Sequence, residues 1–143
     1  MTTDKIEVLA PAGNPAALKA AVFAGADAVY MGGALFSARA NAANFSREEM
    51  REAAAFARER GVRVYVTVNT LVKDAELAEA LDFCAYLCSL PVDGILVQDM
   101  GLFALLHEAC PEMPLHASTQ MSLHTPGGAS LLQSLGVCRL ICV

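Results

Sequence analysis

Four times in its 143 residues the chain repeats one short passage: a glycine or proline, a small apolar residue, a polar or sulfur-bearing residue, then a largely apolar run. The copies are Gly25-Ala26-Asp27-Ala28-Val29-Tyr30, Gly61-Val62-Arg63-Val64-Tyr65, Pro91-Val92-Asp93-Gly94-Ile95-Leu96 and Gly136-Val137-Cys138-Arg139-Leu140-Ile141. Each begins where a helical pattern stops and leads into a strand, so the repeated object is a helix-to-strand joint. Glycine suits its first position because a helix commonly ends on a residue in the left-handed region. Strands that alternate with helices in this way are joined by right-handed crossovers, and such crossovers build parallel sheets.

Reading outward from the joints gives six strands and five helices, at about thirty residues per unit. Ile6–Leu9 is a short apolar strand, followed by the turn Ala10-Pro11-Ala12-Gly13. Asn14 is placed to cap a helix over Ala16–Ala24, with Pro15 at the first helical position, where a missing N–H is harmless. Asp27–Met31 is the second strand, and a longer loop runs from Ala34 to Phe45. Ser46-Arg47-Glu48-Glu49 has the form of a capping box and starts a helix that ends at Gly61. Val62–Val68 is the third strand, and Asp74 is expected to cap a helix running to about Ser89. Asp93–Val97 is the fourth strand, and Asp99 or Met100 opens a helix ending near Cys110-Pro111. Leu115–Ala117 is the fifth; Thr125 and Pro126 start a helix ending at Gly136, and Arg139–Val143 is the sixth strand.

A doubly wound open sheet also holds six strands, but no Gly-x-Gly-x-x-Gly turn follows any of them, which argues against its dinucleotide-binding form. The expected fold is α/β: a partial TIM-like β/α barrel of about five and a half parallel βα units over residues 1–143. It is expected to be the amino-terminal part of a longer protein. The composition agrees, with 55% hydrophobic residues, 17% charged and a mean hydropathy of +0.44. A parallel sheet covered on both faces needs strands apolar on both sides. A membrane span would need about 18 uninterrupted apolar residues, and Lys19, Asp27, Arg39 and Asp82 break the apolar stretches here.

The net charge of −5 argues against a large nucleic-acid footprint on this segment without excluding RNA as a substrate. Residues Met1 to Lys5 lack a signal-peptide pattern, and five cysteines without framework spacing suit reduced thiols; a cytoplasmic protein is expected. Cys84 and Cys88 lie one helical turn apart. Such a pair without a third thiol nearby does not hold an iron–sulfur cluster, so no metal is expected on this segment.

In parallel β/α folds the ligand site lies beyond the carboxyl ends of the strands, and polar residues collect at those ends here. In the third strand Val62, Val64, Val66 and Val68 form one face, expected to pack on helices, which turns Tyr65, Thr67 and Asn69 into the barrel. The same parity groups His116, Ser118 and Gln120 on the fifth strand, and the fourth ends in Gln98-Asp99. The loop after the second strand adds Arg39, Asn41 and Asn44, and His124 sits between a strand end and a helix start. Glu7 is expected as an inward acid at the barrel floor. Each has a plainer reading: Asp99 as a helix cap, Asn41 and Asn44 as turn residues, His116 as a hydrogen-bonded core histidine. There is no Ser nucleophile elbow, no His-Glu-x-x-His helix and no P-loop. These residues describe a barrel with a polar mouth and leave the reaction, and any catalytic residue, undefined.

Several segments arrive in a distinctive order: Leu9-Ala10-Pro11-Ala12-Gly13-Asn14-Pro15, Gly25 to Tyr30, Phe36-Ser37-Ala38-Arg39-Ala40-Asn41-Ala42-Ala43-Asn44-Phe45 and Val66-Thr67-Val68-Asn69-Thr70, followed by Val97-Gln98-Asp99 and His116-Ala117-Ser118-Thr119-Gln120-Met121. Together they resemble the amino-terminal region of the collagenase-like peptidase family, the U-thirty-two peptidases, from about Lys5 to Val143. The resemblance implies a bacterial cytoplasmic protein with a barrel-like amino-terminal domain. It implies one of two activities for the whole protein: oxygen-independent hydroxylation of a pyrimidine in transfer or ribosomal RNA, with prephenate as a contributor, or the peptidase activity of the family's older label. The implied partners are RNA or a small anionic metabolite, met by Arg39, Asn69, Gln98, His116, Ser118 and Gln120. Relatives in ubiquinone synthesis hold a four-iron cluster, but the family's signature cysteines lie downstream of this region and none of the five here matches them. By itself the segment is expected to be inactive and to self-associate through its unpaired strand edges.

Overall fold

A computed structural model describes residues 6–38 and 44–142. In chain order the elements are β1 (Leu9–Pro11), α1 (Pro15–Phe23), β2 (Ala28–Gly32), α2 (Arg47–Arg58), β3 (Arg63–Val68), α3 (Leu77–Cys88), β4 (Gly94–Val97), α4 (Met100–Ala109), β5 (Leu115–Ala117), α5 (Pro126–Ser134) and β6 (Arg139–Leu140). Short 3-10 turns cover Asp74–Glu76 and Thr119–Met121. All six strands are parallel and lie side by side in the order β1-β2-β3-β4-β5-β6. A doubly wound sheet reverses its strand order at a switch point; this one does not, and the sheet is the wall of a barrel left open between β1 and β6.

The repeated joint explains how the units connect. Gly25, Gly61 and Gly136 have φ of +91°, +70° and +97°, ending their helices in the left-handed region. The second residue, Ala26, Val62 or Val137, is buried beneath the turn. In three of the four joints the side chain of the third residue ties back to the preceding strand of the sheet or to the residue just before it. Asp27 Oδ2 accepts the Val8 N–H at 2.9 Å, and Asp93 Oδ2 accepts the Val64 N–H at 2.8 Å. In the last joint the Cys138 thiol donates to the Leu115 carbonyl at 3.2 Å. The aspartates therefore satisfy an N–H at the start of a neighbouring strand, that of Val8 just before β1 and that of Val64 at the second residue of β3.

Three boundaries depart from expectation. The first strand forms at Leu9–Pro11 rather than Ile6–Leu9, because its ladder starts at Leu9 opposite Ala28 while Asp27 holds Val8 just outside it. The third helix opens with a 3-10 turn whose cap is Lys73, not Asp74; the Glu76 carboxylate accepts the Lys73 N–H at 3.0 Å. The sixth strand is only Arg139–Leu140, matched to His116 and Ala117, and Val143 lies outside the described residues. The other caps form as the sequence suggests: Asn14, Asp99 and Thr125 accept N–H groups of their first turns, and Ser46 with Glu49 completes a capping box.

The sheet divides the interior. On its outer face Val64, Val66 and Val68 join Met31, Ile95, Val97 and Ala117 against the helices, with Leu18, Met50, Leu87 and Phe103 filling the layer between. The opposite face holds a smaller cluster of Ala28, Tyr65 and Leu96, flanked by Leu9, Tyr30 and Ile141. The period-two alternation of the third strand thus separates helix-facing valines from lumen-facing residues, as expected.

Candidate functional site

The lumen is layered. At the amino ends of the strands Glu7 lies between two guanidinium groups, paired with Arg63 and, at 2.7 Å, with Arg139. It also accepts the Tyr65 hydroxyl at 3.3 Å. Arg139 stands over the Tyr65 ring, 5.0 Å from its centroid. Glu7 precedes β1 and Arg139 opens β6, so this pair measures how far the sheet has curled: the residues flanking its two outer strands touch across the lumen. The inward acid expected at the floor is there, and its charge is matched.

Above this floor sits His116, 4% exposed, its ring 4.8 Å from that of Tyr65 at an interplanar angle of 60°. Among the described residues its Nδ1 has no hydrogen-bond partner. Burial, with the nearby positive charge of Arg139, lowers its pKa to about 4, so the imidazole is neutral near pH 7. Gly94 on β4 leaves the space this ring occupies: a Cβ there would lie 3.1 Å from ring atoms Cε1 and Nε2.

At the carboxyl ends of the strands opens a cavity of about 280 Å³. Its walls are apolar low down, from Leu9, Tyr30, Met31, Leu96 and Ile141, and polar at the rim, from Ser37, Asn44, Thr67, Asn69, Ser118, Thr119 and Gln120. The rim is tied together by hydrogen bonds. Ser37 and Thr67 hydroxyls are 3.1 Å apart, and Thr67 Oγ1 donates to the Met31 carbonyl at 3.3 Å. Asn69 Oδ1 accepts the Ala38 N–H at 3.0 Å while its Nδ2 donates to Ser118 Oγ at 3.3 Å. One amide thereby spans from the loop after β2 to the end of β5. Among the described residues no charged side chain lines this cavity.

The structure brings together Asn44, Asn69, Ser118 and Gln120 of the residues singled out from sequence. Gln98 stands just behind them, its Nε2 donating to the Gln120 carbonyl at 3.3 Å. Asp99 caps α4 through the Leu102 N–H at 2.9 Å and also accepts the Val72 N–H, outside the cavity lining. His116 lies a layer below the rim, and His124 is exposed and away from the cavity. Arg39 and Asn41 lie outside the described residues. Three rim hydroxyls, Ser37, Thr67 and Thr119, were not among the candidates. Thr67 was legible from its parity with Asn69; Ser37 depends on how the loop folds back over Gly32, and no local pattern signals that.

The cysteines lie elsewhere. Burial pushes the thiols of Cys84 and Cys88 up to about 12, with Cys110 close beside Cys88. Among the described residues no three His, Cys, Asp or Glu side chains are placed to share a metal ion. No helix among them is long and apolar enough to cross a membrane.

Comparison with known proteins places this architecture. The chain is 38% identical over 99% of its length to the 23S rRNA 5-hydroxycytidine synthase of Escherichia coli, covering 21% of that protein. It is 37% identical over 97% of its length to a tRNA hydroxylation protein of Bacillus subtilis, covering 33% of it. The chain therefore spans between a fifth and a third of these relatives. The solved structure of a U32 peptidase superposes with a TM-score of 0.75 at 18% identity, over 99% of this chain and 60% of that one; at this identity the likeness speaks for the fold. The family model for Peptidase family U32 matches residues 13–142. The chain belongs to peptidase family U32.

Proposed function

We propose that this chain forms the substrate-facing wall of a protein that hydroxylates a pyrimidine in transfer or ribosomal RNA. The observation that carries the reading is its similarity, along nearly the whole chain, to two RNA hydroxylation proteins. The cavity is compatible with it. Ligand sites are commonly about 300–1,000 Å³, apolar with a few placed polar groups, and a cavity of about 280 Å³ is at the small end, suited to one heterocyclic ring. Its rim offers hydroxyls and amides, the groups that read a base edge once the base has left its stack. A peptidase would need a nucleophile beside a base. Ser118 instead pairs with an amide and a backbone N–H, Ser37 pairs with Thr67, and the thiols of buried Cys84 and half-buried Cys88 are held protonated.

The test is nucleoside mass spectrometry of transfer and 23S ribosomal RNA from a strain lacking the gene. A hydroxypyrimidine should disappear and return on complementation. Unchanged hydroxypyrimidine levels in both RNA classes rule the reading out.

A further inference from the structure

The rim hydrogen bonds fix which groups are left to meet a ligand. The Ala38 N–H can bond only to an oxygen, so Asn69 Oδ1 faces Ala38 and Nδ2 is forced toward Ser118. Ser118 Oγ accepts that N–H at 3.3 Å and the Gln120 backbone N–H at 3.4 Å. A serine oxygen has two lone pairs and one hydrogen. Both lone pairs are engaged, and among the described residues the hydrogen has no acceptor. Ser118 is 4% exposed and lines the cavity, so the cavity is where that hydrogen finds one. On the opposite side the polarity is reversed. Thr67 spends its hydrogen on the Met31 carbonyl, so in the Ser37–Thr67 contact Ser37 donates and keeps lone pairs to offer.

We propose that Ser118 is committed as a hydrogen-bond donor to a carbonyl oxygen of an uncharged pyrimidine ring seated in this cavity, with Asn69 as the positioning residue that enforces its direction; this rests on the RNA-pyrimidine reading above. A neutral ring suits the apolar lower wall of Leu9, Met31, Leu96 and Ile141, on which it can rest while its edge meets the rim. Uracil and cytosine both present a carbonyl acceptor beside ring nitrogen.

The experiment measures binding of uridine and cytidine to the full-length protein by ligand-observed NMR. Two variants act on the same hydrogen. Ser118→Ala removes it. Asn69→Asp keeps the Ala38 contact but sets a carboxylate oxygen against Ser118, which turns the hydroxyl hydrogen away from the cavity. Both should weaken nucleoside binding by about tenfold, the worth of one hydrogen bond in a dry site. Asn69→Asp should keep the wild-type melting temperature. On the ligand side, 2-thiouridine and 4-thiouridine replace one carbonyl oxygen each with a poor acceptor. One of the two should lose as much as Ser118→Ala does, and the losses should not add. Wild-type binding in both variants, additive losses for both thio analogues, or displacement of uridine by benzoate would each overturn the proposal. Failure of the parent reading looks different: RNA from the deletion strain keeps its hydroxypyrimidines whatever the nucleosides do in the cavity.

Discussion

At the scale of single residues, His116 and Glu7 show opposite treatments of polarity in one lumen. His116 is buried, its Nδ1 unpartnered among the described residues and its pKa lowered to about 4 by burial and Arg139. The unfolded chain binds a proton near 6.5, so between about pH 6.5 and 4 the unfolded state holds more protons than the folded one. Stability from this group is present above 6.5 and is lost as pH falls toward 4, by at most roughly 3 kcal/mol. Replacing it as His116→Phe should flatten that acid-side fall in melting temperature. Stability at pH 7 should be unchanged or raised, since an unmet buried nitrogen is removed. A chemical melt repeated at pH 5 and pH 7 measures both. Glu7 is the reverse case, a largely buried charge that is fully matched. In Glu7→Gln, Arg63 and Arg139 face each other without the carboxylate, at a cost of about 1–2 kcal/mol. Urea unfolding at pH 7 reads it.

The parity of residues 62–69 and the odd position of Glu7 were legible in the sequence, because period two is imposed by the strand itself. His116 was legible as a core histidine but not as one lacking a partner on Nδ1, which depends on Gly94, Tyr65 and Arg139 meeting from three other segments. The Ser37 hydroxyl escaped for the same reason. Its place over Gly32 is set by the loop closing back, not by a neighbour in sequence.

At the scale of elements the joint is the unit that repeats, and its glycines are not equal. A Cβ at Gly61 would meet nothing within 4 Å, so Gly61→Ala is penalised only by its φ of +70°. That strain is about 1–2 kcal/mol. At Gly136, with φ of +97°, a Cβ would also fall 2.8 Å from Nε2 of His107, whose ring stacks on Phe103 at 6.0 Å. Gly136→Ala should therefore lose more stability than Gly61→Ala. Adding His107→Ala should recover the excess and leave the φ strain behind. A thermal-melt double-mutant cycle separates the two; equal losses at both glycines, with no recovery, would show the ring contact to be irrelevant. The joints were legible because Gly, Asp and Pro carry backbone information in their identities. The first-strand boundary was not. Ile6 and Val8 look like strand residues, yet the side chain of Asp27 decides where pairing starts.

At the scale of the whole molecule, the barrel wall has two outer strands, each with one open edge among the described residues, and what happens at those edges decides how the chain behaves alone. β1 and β6 each pair on one side only among the described residues. Ile6 and Val8, next to the free edge of β1, are 86% and 57% exposed. An edge that is apolar and lacks lysine, proline or a bulge on the open side is a template for another chain. Within β1 the one blunting residue is Pro11, at its far end. The Glu7–Arg139 pair ties the two outer strands across the lumen but leaves their outward hydrogen-bonding groups open. The chain prepared by itself should associate, with a sedimentation coefficient that rises with protein concentration. Ile6→Lys with Val8→Lys should lower that association without disturbing the ladder, which begins at Leu9. The salt dependence is informative as well. Apolar edge contact strengthens with added sulfate, whereas association through charged groups weakens as salt screens it. A concentration-independent monomer that melts in one cooperative step would mean that the open edges are already satisfied by the chain itself.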